Sequence, residues 1–267
     1  MMRASTLLLV FCIAGFIFLY APIVSLIVFS FNENKLATVW SGFSTQWYVA
    51  LFQNAQILGA AWISLKVAVV SATLASILGT LAAYVLVRFG RFRTRSLLTG
   101  MSAAPLVMPD VITGLSLLLL FVAMEQAIGW PAGRGMTTII IAHTTFCMAY
   151  VTVVVQSRLS DMDESLEEAA MDLGARPARV FFDVTIPVIA PALVAGWLLA
   201  FTLSLDDLVV ASFVTGPGAS TLPMVIFSKV RLGVSPDINA LATIIIGIVA
   251  LGVFVASVLL RRKPTRA

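Results

Sequence analysis

Charge is what this sequence has least of. Asp, Glu, Lys and Arg together make up 11% of 267 residues, against 60% hydrophobic residues and a mean hydropathy of +1.03. Soluble domains carry about 25% charged residues, so a water-soluble globule is excluded and an integral membrane protein is implied. Histidine is reduced to His143 alone, and cysteine to Cys12 and Cys147. Both cysteines lie in apolar stretches, so neither a disulfide nor a metal site is expected. Lysine is sparse as well: Lys35, Lys66, Lys229 and Lys263 follow Asn34, Leu65, Ser228 and Arg262. None of them makes the Gly-Lys-Ser/Thr core of a phosphate-cradling loop, so any energy source must lie elsewhere and no cofactor is expected in this chain. No Ser-His-Asp or Cys-His arrangement is evident, and an enzyme is not expected. Internal repeats, low-complexity tracts and long linkers are lacking too, which reads as one domain over 1–267.

Long apolar runs are what the chain has in plenty. Six of them are long enough to cross a bilayer: Leu7 to Phe31, Ile63 to Val87, Met101 to Met124, Thr137 to Val155, Val188 to Phe213 and Ala240 to Leu260. Helices and closed barrels alone satisfy backbone polar groups in lipid, so runs of this length predict an all-α integral membrane protein. The first run exceeds the short core of a secretion signal, no small-x-small cleavage site follows it, and it is read as a span.

Lys and Arg divide unevenly between the loops. One side has Arg3, then Arg88, Arg91, Arg93 and Arg95, then Arg158, Arg176 and Arg179, then Arg261, Arg262, Lys263 and Arg266. The other has only Lys35, Lys66, Arg134, Lys229 and Arg231, which completes the 17. The richer side is cytoplasmic by the positive-inside rule, so both termini are expected there, along with the loop 159–187. The sequence pI of 9.4 reflects this sidedness, and nucleic acid is not an expected partner.

Taken in order, the outer segment after the first span carries Trp40, Trp47 and Tyr48, rings suited to anchoring at the interface. In the second span, Ser71, Ala75, Gly79 and Ala83 form one line of small residues, and Ala68, Ala72, Ser76 and Thr80 a second. Each recurs every four residues, so close approach of neighbouring helices is expected on both faces. The Arg88 to Arg95 loop reads as a topology signal at the inner headgroups. The third span is irregular, with Pro105, Pro109, Asp110 and Gly114; its prolines free carbonyls that need other donors, as in helices that line cavities. Asp110 either joins such a cavity, or sits near the inner interface or bonds a neighbouring helix. Gly129 to Gly135 marks a tight outer turn, and His143 reads as a neutral hydrogen-bonding packer within the fourth span.

The fifth span holds the sharpest chemical feature, Thr202-Leu203-Ser204-Leu205-Asp206-Asp207-Leu208. A carboxylate at mid-membrane costs roughly 2.5–3.5 kcal/mol on insertion scales, so two adjacent ones need a cavity, a partner or a cation. Counting about 1.5 Å per residue places the pair in the outer half of a ~30 Å core. Sequence neighbours point about 100° apart on a helix, so one of the pair is expected to face the pathway and the other to cap or brace a neighbouring helix. Thr215-Gly216-Pro217-Gly218 ends the span, and Leu222 to Arg231 reads as an amphipathic stretch along the outer surface.

The stretch Glu168 to Pro187 cannot be membrane. Glu168 to Leu173 are good helix formers, Gly174 suits a left-handed cap, and Pro177 suits the first turn of a second helix. Helix, turn, helix is predicted, an ordered surface for another protein. Of Phe181 and Phe182, one is expected to pack beneath the spans and the other to meet a partner. The spacing of Glu168, Ala169, Ala170, Gly174, Val184, Ile186 and Pro187 resembles the cytoplasmic loop signature of bacterial ABC importer permeases. Val184 and Ile186 stand where that family most often has isoleucine and leucine, a change that keeps the apolar character. Together with Pro105 to Asp110, Phe201 to Val210 and Gly216 to Thr243, the loop resembles the permease subunits of polyamine ABC importers, the putrescine-specific type among them.

The resemblance implies the type I ABC importer permease fold with six transmembrane helices. It also implies an ATPase subunit dimer docked on Glu168, Ala169, Ala170, Gly174, Ile186 and Pro187, a second homologous permease, and a periplasmic polyamine-binding protein. Asp110, Asp206 and Asp207 are then the expected substrate pathway, with membrane lipid around the spans. Two other readings stand beside this one. A free-standing channel or proton-coupled carrier would use Asp110, Asp206, Asp207 and His143 as an ion path; an ABC permease for spermidine or another small solute would share the loop.

Overall fold

Helix is the only regular secondary structure among the residues that the computed structural model describes, which are 4–35, 39–233 and 236–261; one antiparallel bridge, Asn32 to Phe43, accompanies it. In order the helices are α1 (Ala4–Phe29), α2 (Gln46–Gln53), α3 (Ala55–Arg88), α4 (Arg95–Val107), α5 (Asp110–Ile128) and α6 (Met136–Ser160). Then follow α7 (Ser165–Asp172), α8 (Pro177–Val180), a π-helical segment (Phe181–Thr185), α9 (Ile186–Asp206), α10 (Val209–Val214), α11 (Leu222–Leu232) and α12 (Pro236–Arg261). Arg3, Arg262, Lys263 and Arg266, used above for orientation, lie outside the described residues.

Among the described residues, 5 stretches are long and apolar enough to cross a membrane: Leu8–Phe29, Ala55–Arg88, Asp110–Ile128, Met136–Ser160 and Pro177–Asp206. The expected span at 240–260 falls in α12, which is described as an apolar run over Pro236–Leu251.

Two expected spans are interrupted. The run 101–124 divides at Met108, which is extended with ψ 136°, so α4 ends at Val107 and α5 begins at Asp110. Pro109 is the cause: its ring pushes the preceding residue out of the helical region, and it has no N–H to continue the ladder. The run 188–213 divides at Asp207, extended with ψ 127°, between α9 and α10.

The described chain resolves into two compact units, one formed by residues up to Leu58 with those from Ile226 onward, the other by Gly59–Val225. In the first, α12 packs against α1 and α2. The buried Asn32 organises the loop after α1: its side-chain amide donates to Val39 O (2.7 Å), its Oδ1 accepts from Ser41 N (3.0 Å), and its own carbonyl accepts from Trp47 Nε1 (2.6 Å). Tyr48 shares a 2.8 Å hydrogen bond with Ser30. Trp47 and Tyr48, expected as interfacial anchors, therefore also knit this loop together.

In the second unit α3 lies against α6 through the small residues foreseen there. Ser71, Ala75 and Ala83 of one line and Ala68, Ala72 and Thr80 of the other are all buried. At Gly79 an added Cβ would lie 2.9 Å from Val151 Cβ, so the approach excludes any side chain. Ser71 Oγ donates across the gap to Ile140 O at 3.2 Å. Close backbone approach of this kind is how helices associate in lipid, where dispersion and short hydrogen bonds replace a water-driven force. On its other side α6 packs against α9, with Cys147, Val151, Val155, Ile189 and Ala200 in one buried cluster. A second cluster, around Phe121, Ile139, Val210 and Val214, joins α5, α6 and α10.

Candidate functional sites: a polar hairpin and a divided acidic pair

The hairpin begins where Asp163 accepts the Ser165 amide at 3.0 Å, a side-chain turn just ahead of α7. That hydrogen bond, with the Ser165 side chain, holds the exposed Asp163 carboxyl below the usual carboxylate range. After α7 the chain turns at Gly174, which has φ +87°, with the Gly174 and Ala175 amides returning to Met171 O (2.8 Å) and Ala170 O (3.1 Å). Pro177 then opens α8. The helix, left-handed glycine and second helix predicted from the sequence are all present.

Exposure separates the signature residues. Glu168 and Ala169 face solvent, Ala170 is half-buried, and Gly174 and Pro187 are exposed, whereas Val184 and Ile186 pack against the core at the foot of α9. Apolar side chains surround the exposed members: Leu173 is 90% exposed, and Leu166 and Met171 are exposed as well. Phe181 turns inward, 4.9 Å edge-on from Tyr84, as one ring of the pair was expected to, while Phe182 is 66% exposed.

The residue before Glu168 does something the sequence did not reveal. Glu167 is buried, with one carboxylate oxygen 2.7 Å from Arg88 Nε at the end of α3 and the other accepting the Thr185 hydroxyl at the foot of α9. Arg88 also reaches Glu164 Oε1 at 3.1 Å and Met162 O at 3.5 Å. Arg88 is thus a buried ion-pair member as well as the first arginine of a basic loop. A hollow of about 320 Å³ beside this network is lined by Tyr84, Phe89, Met171, Glu164 and Glu168.

At the other site the acidic pair is divided by the end of α9. Asp207 turns its carboxylate onto the start of α10, accepting the Val210 amide at 3.2 Å and the Ala211 amide at 2.7 Å. The same carboxylate lies 3.1 Å from His143 Nε2, off the hydrogen-bond axis. His143 is fully buried, and its Nδ1 shares a 2.7 Å hydrogen bond with Ser204 Oγ. One imidazole on α6 therefore bridges both sides of the break. Ser204, His143 and Asp207 do come together, a trio not evident from the sequence, but the histidine is sealed and Ser204 is buried with it. Asp206, in contrast, is exposed.

Asp110 opens α5 and is exposed, a position the helix dipole favours for a carboxylate. No hydrogen bond or ion pair joins it to Asp206 or Asp207 among the described residues. Its helix does reach their neighbourhood: α5 packs on α10 at Gly114, where an added Cβ would lie 2.6 Å from the Phe213 ring.

The network partners of Glu167 and the contacts of His143 escaped sequence reasoning because each joins residues far apart in the chain. A weak signal existed in Thr185 and Ser204, hydroxyls that fall on inward-facing positions of otherwise apolar runs.

Apolar helices of bilayer-spanning length, joined by an ordered polar hairpin and broken at Pro109 and at Asp207, define a multi-pass membrane protein. The family model for the binding-protein-dependent transport system inner membrane component matches residues 75–263, and the chain belongs to that family. It is 61% identical over 254 residues to the putrescine transport system permease protein PotI of Escherichia coli (strain K12), covering 95% of this chain and 90% of PotI. It is 43% identical over 256 residues to the spermidine/putrescine transport system permease protein PotC of the same strain, covering 96% and 94%. Among solved structures, a chain of the bacterial alginate ABC transporter in complex with alginate pentasaccharide-bound periplasmic protein superposes with a TM-score of 0.72 at 17% identity, covering 98% of this chain and 95% of that one. The MetNI methionine ABC transporter gives 0.59 at 18% identity over 77% of this chain and 94% of that one. At such identities these two establish the fold alone.

Proposed function

We infer that this chain is the membrane permease subunit of an ATP-driven importer for polyamines, putrescine foremost. The observation that carries this reading is the 61% identity to PotI across 95% of the chain. The exposed Asp206 beside a break in an apolar helix supplies the matching chemistry, a carboxylate free to meet an ammonium group.

In this reading the chain crosses the inner membrane six times, with α12 as the sixth span, and both termini lie in the cytoplasm. ATP and Mg are held by a separate ATPase dimer, which docks on Glu168, Ala169, Ala170 and Gly174, while Ile186 and Pro187 carry its motion into α9. A second, related permease completes the pathway, and a periplasmic polyamine-binding protein delivers the cargo. Asp206 and Asp110 line the route, and Asp207 fixes the helix break that presents Asp206. A diamine crossing a low-dielectric region needs its charge compensated along the way, which a carboxylate supplies without a resident metal.

The test is uptake of labelled putrescine into cells whose own polyamine uptake has been deleted, supplied with the whole complex and challenged with unlabelled spermidine. Uptake that resists spermidine supports putrescine as cargo. Equal displacement by spermidine would assign the broader spermidine/putrescine specificity that PotC's name carries, and an assembled complex without uptake of either would overturn the polyamine reading.

A further inference from the structure

We propose that Arg88 and Glu167 are positioning residues for transport, a buried ion-paired bolt that passes the movement of the docking helix α7 to α3 and α9 together. The proposal rests on the reading of the hairpin as the ATPase contact and goes beyond it, because neither residue belongs to the docking signature.

The geometry is specific. Glu167 sits in the first turn of α7, next to the exposed Glu168, yet its own carboxylate points inward. One oxygen takes Arg88 Nε at 2.7 Å, on the last residue of α3, and the other takes the hydroxyl of Thr185, the residue before α9. Arg88 is then fixed from the hairpin side by Glu164 Oε1 and the Met162 carbonyl. Two long membrane helices thus meet at one carboxylate on the helix a partner would grip. α3 is 34 residues long, so a tilt imposed at its foot is carried through the bilayer as one rigid element.

Stability alone is a weak reason for such a pair, since replacing a buried ion pair by apolar residues is often neutral or stabilising. Direction is what an apolar contact lacks. Methionine pairs slide over one another, whereas a charged fork held at three points keeps its partner in register through a displacement. Coupling between distant sites is carried by chains of this kind, packed groups and charged hydrogen bonds between rigid helices.

The experiment uses the complete importer in proteoliposomes, with labelled putrescine uptake and ATP hydrolysis measured on the same preparation. The variants are Arg88→Met with Glu167→Met, Glu167→Gln alone, the exchange Arg88→Glu with Glu167→Arg, and Arg91→Met as a charge-loss control on an exposed residue of the same loop. The double methionine variant is expected to assemble and hydrolyse ATP while putrescine moved per ATP falls roughly tenfold. Glu167→Gln, which keeps the shape and loses the charge, falls less; the exchange recovers part of the ratio, and the control matches wild type. Wild-type transport per ATP in every variant that assembles would overturn the proposal. So would failure of all of them to assemble, which would make the bolt a folding element only. The wild-type arm tests the importer reading separately: an assembled wild-type complex without ATP-driven uptake refutes that reading, whatever the variants do.

Discussion

Glu167 is 6% exposed and held between Arg88 and Thr185, while its neighbour Glu168 faces solvent. At the end of α9 the order is reversed: Asp206 is exposed, and Asp207 is committed to two α10 amides with His143 beside it. Within α7 neighbouring residues point about 100° apart, and at Asp207 the chain leaves the helix with ψ 127°, so each doublet divides into one member inside and one outside. The two doublets differ in what the inner member meets. Glu167 faces a full cation that is itself only 9% exposed, whereas Asp207 meets chiefly neutral donors. The hairpin therefore has more to lose from a neutral substitution than the helix break does.

Breaking the hairpin doublet carries the largest expected effect. Glu167→Leu leaves Arg88 buried without its main counter-charge and is expected to cost about 3–5 kcal/mol, read as a lowered unfolding midpoint of the purified protein in detergent. Glu168→Leu is expected to change that midpoint by no more than about 0.5 kcal/mol, while loosening the ATPase in co-purification. Equal destabilisation by the two would mean that Glu167 and Glu168 do not differ in role.

The second doublet gives a smaller contrast. Asp207→Ala removes the acceptor for two amides and the oxygen facing His143, an expected loss of about 2 kcal/mol. Asp206→Asn is expected to leave the midpoint in place. A midpoint lowered more by Asp206→Asn than by Asp207→Ala would reverse the assignment of inner and outer member.

Turn chemistry follows. Gly174→Ala meets open space but must adopt φ +87°, at a cost of about 1 kcal/mol; hydrogen exchange in the hairpin should rise while the membrane helices keep their protection. The smallest effect belongs to Asp163. Its carboxyl is held below the ordinary range in the folded protein, so the Asp163–Ser165 turn is favoured above that range and lost as the pH falls through the lowered value. Asp163→Ala should abolish that acid-dependent fraying of α7 without touching the helix break.

Local chemistry made much of this legible. The hairpin followed from Gly174 and Pro177, the α3 packing faces from small residues four apart, and the split between Phe181 and Phe182 from the cost of exposing two rings together. Pro109 announced an irregular third span, though not that α5 would start afresh at Asp110. That the acidic pair would divide, one member bracing a neighbouring helix, was readable; that Asp207 is the brace and Asp206 the exposed member depended on α10 and on His143, more than sixty positions earlier in the chain. The Arg88–Glu167–Thr185 network was illegible for the same reason. Its members are separated by whole helices, and in sequence Arg88 is one arginine of a basic loop and Glu167 one acid of an acidic run.

The most direct test of the central claim is ATP-driven uptake of labelled putrescine by the assembled complex carrying Asp206→Asn, measured per ATPase retained. The account predicts that the ATPase stays bound and the unfolding midpoint stays put while uptake falls roughly tenfold, as loss of one charge-assisted contact to an ammonium requires. Undiminished uptake by this variant, with assembly intact, would contradict it.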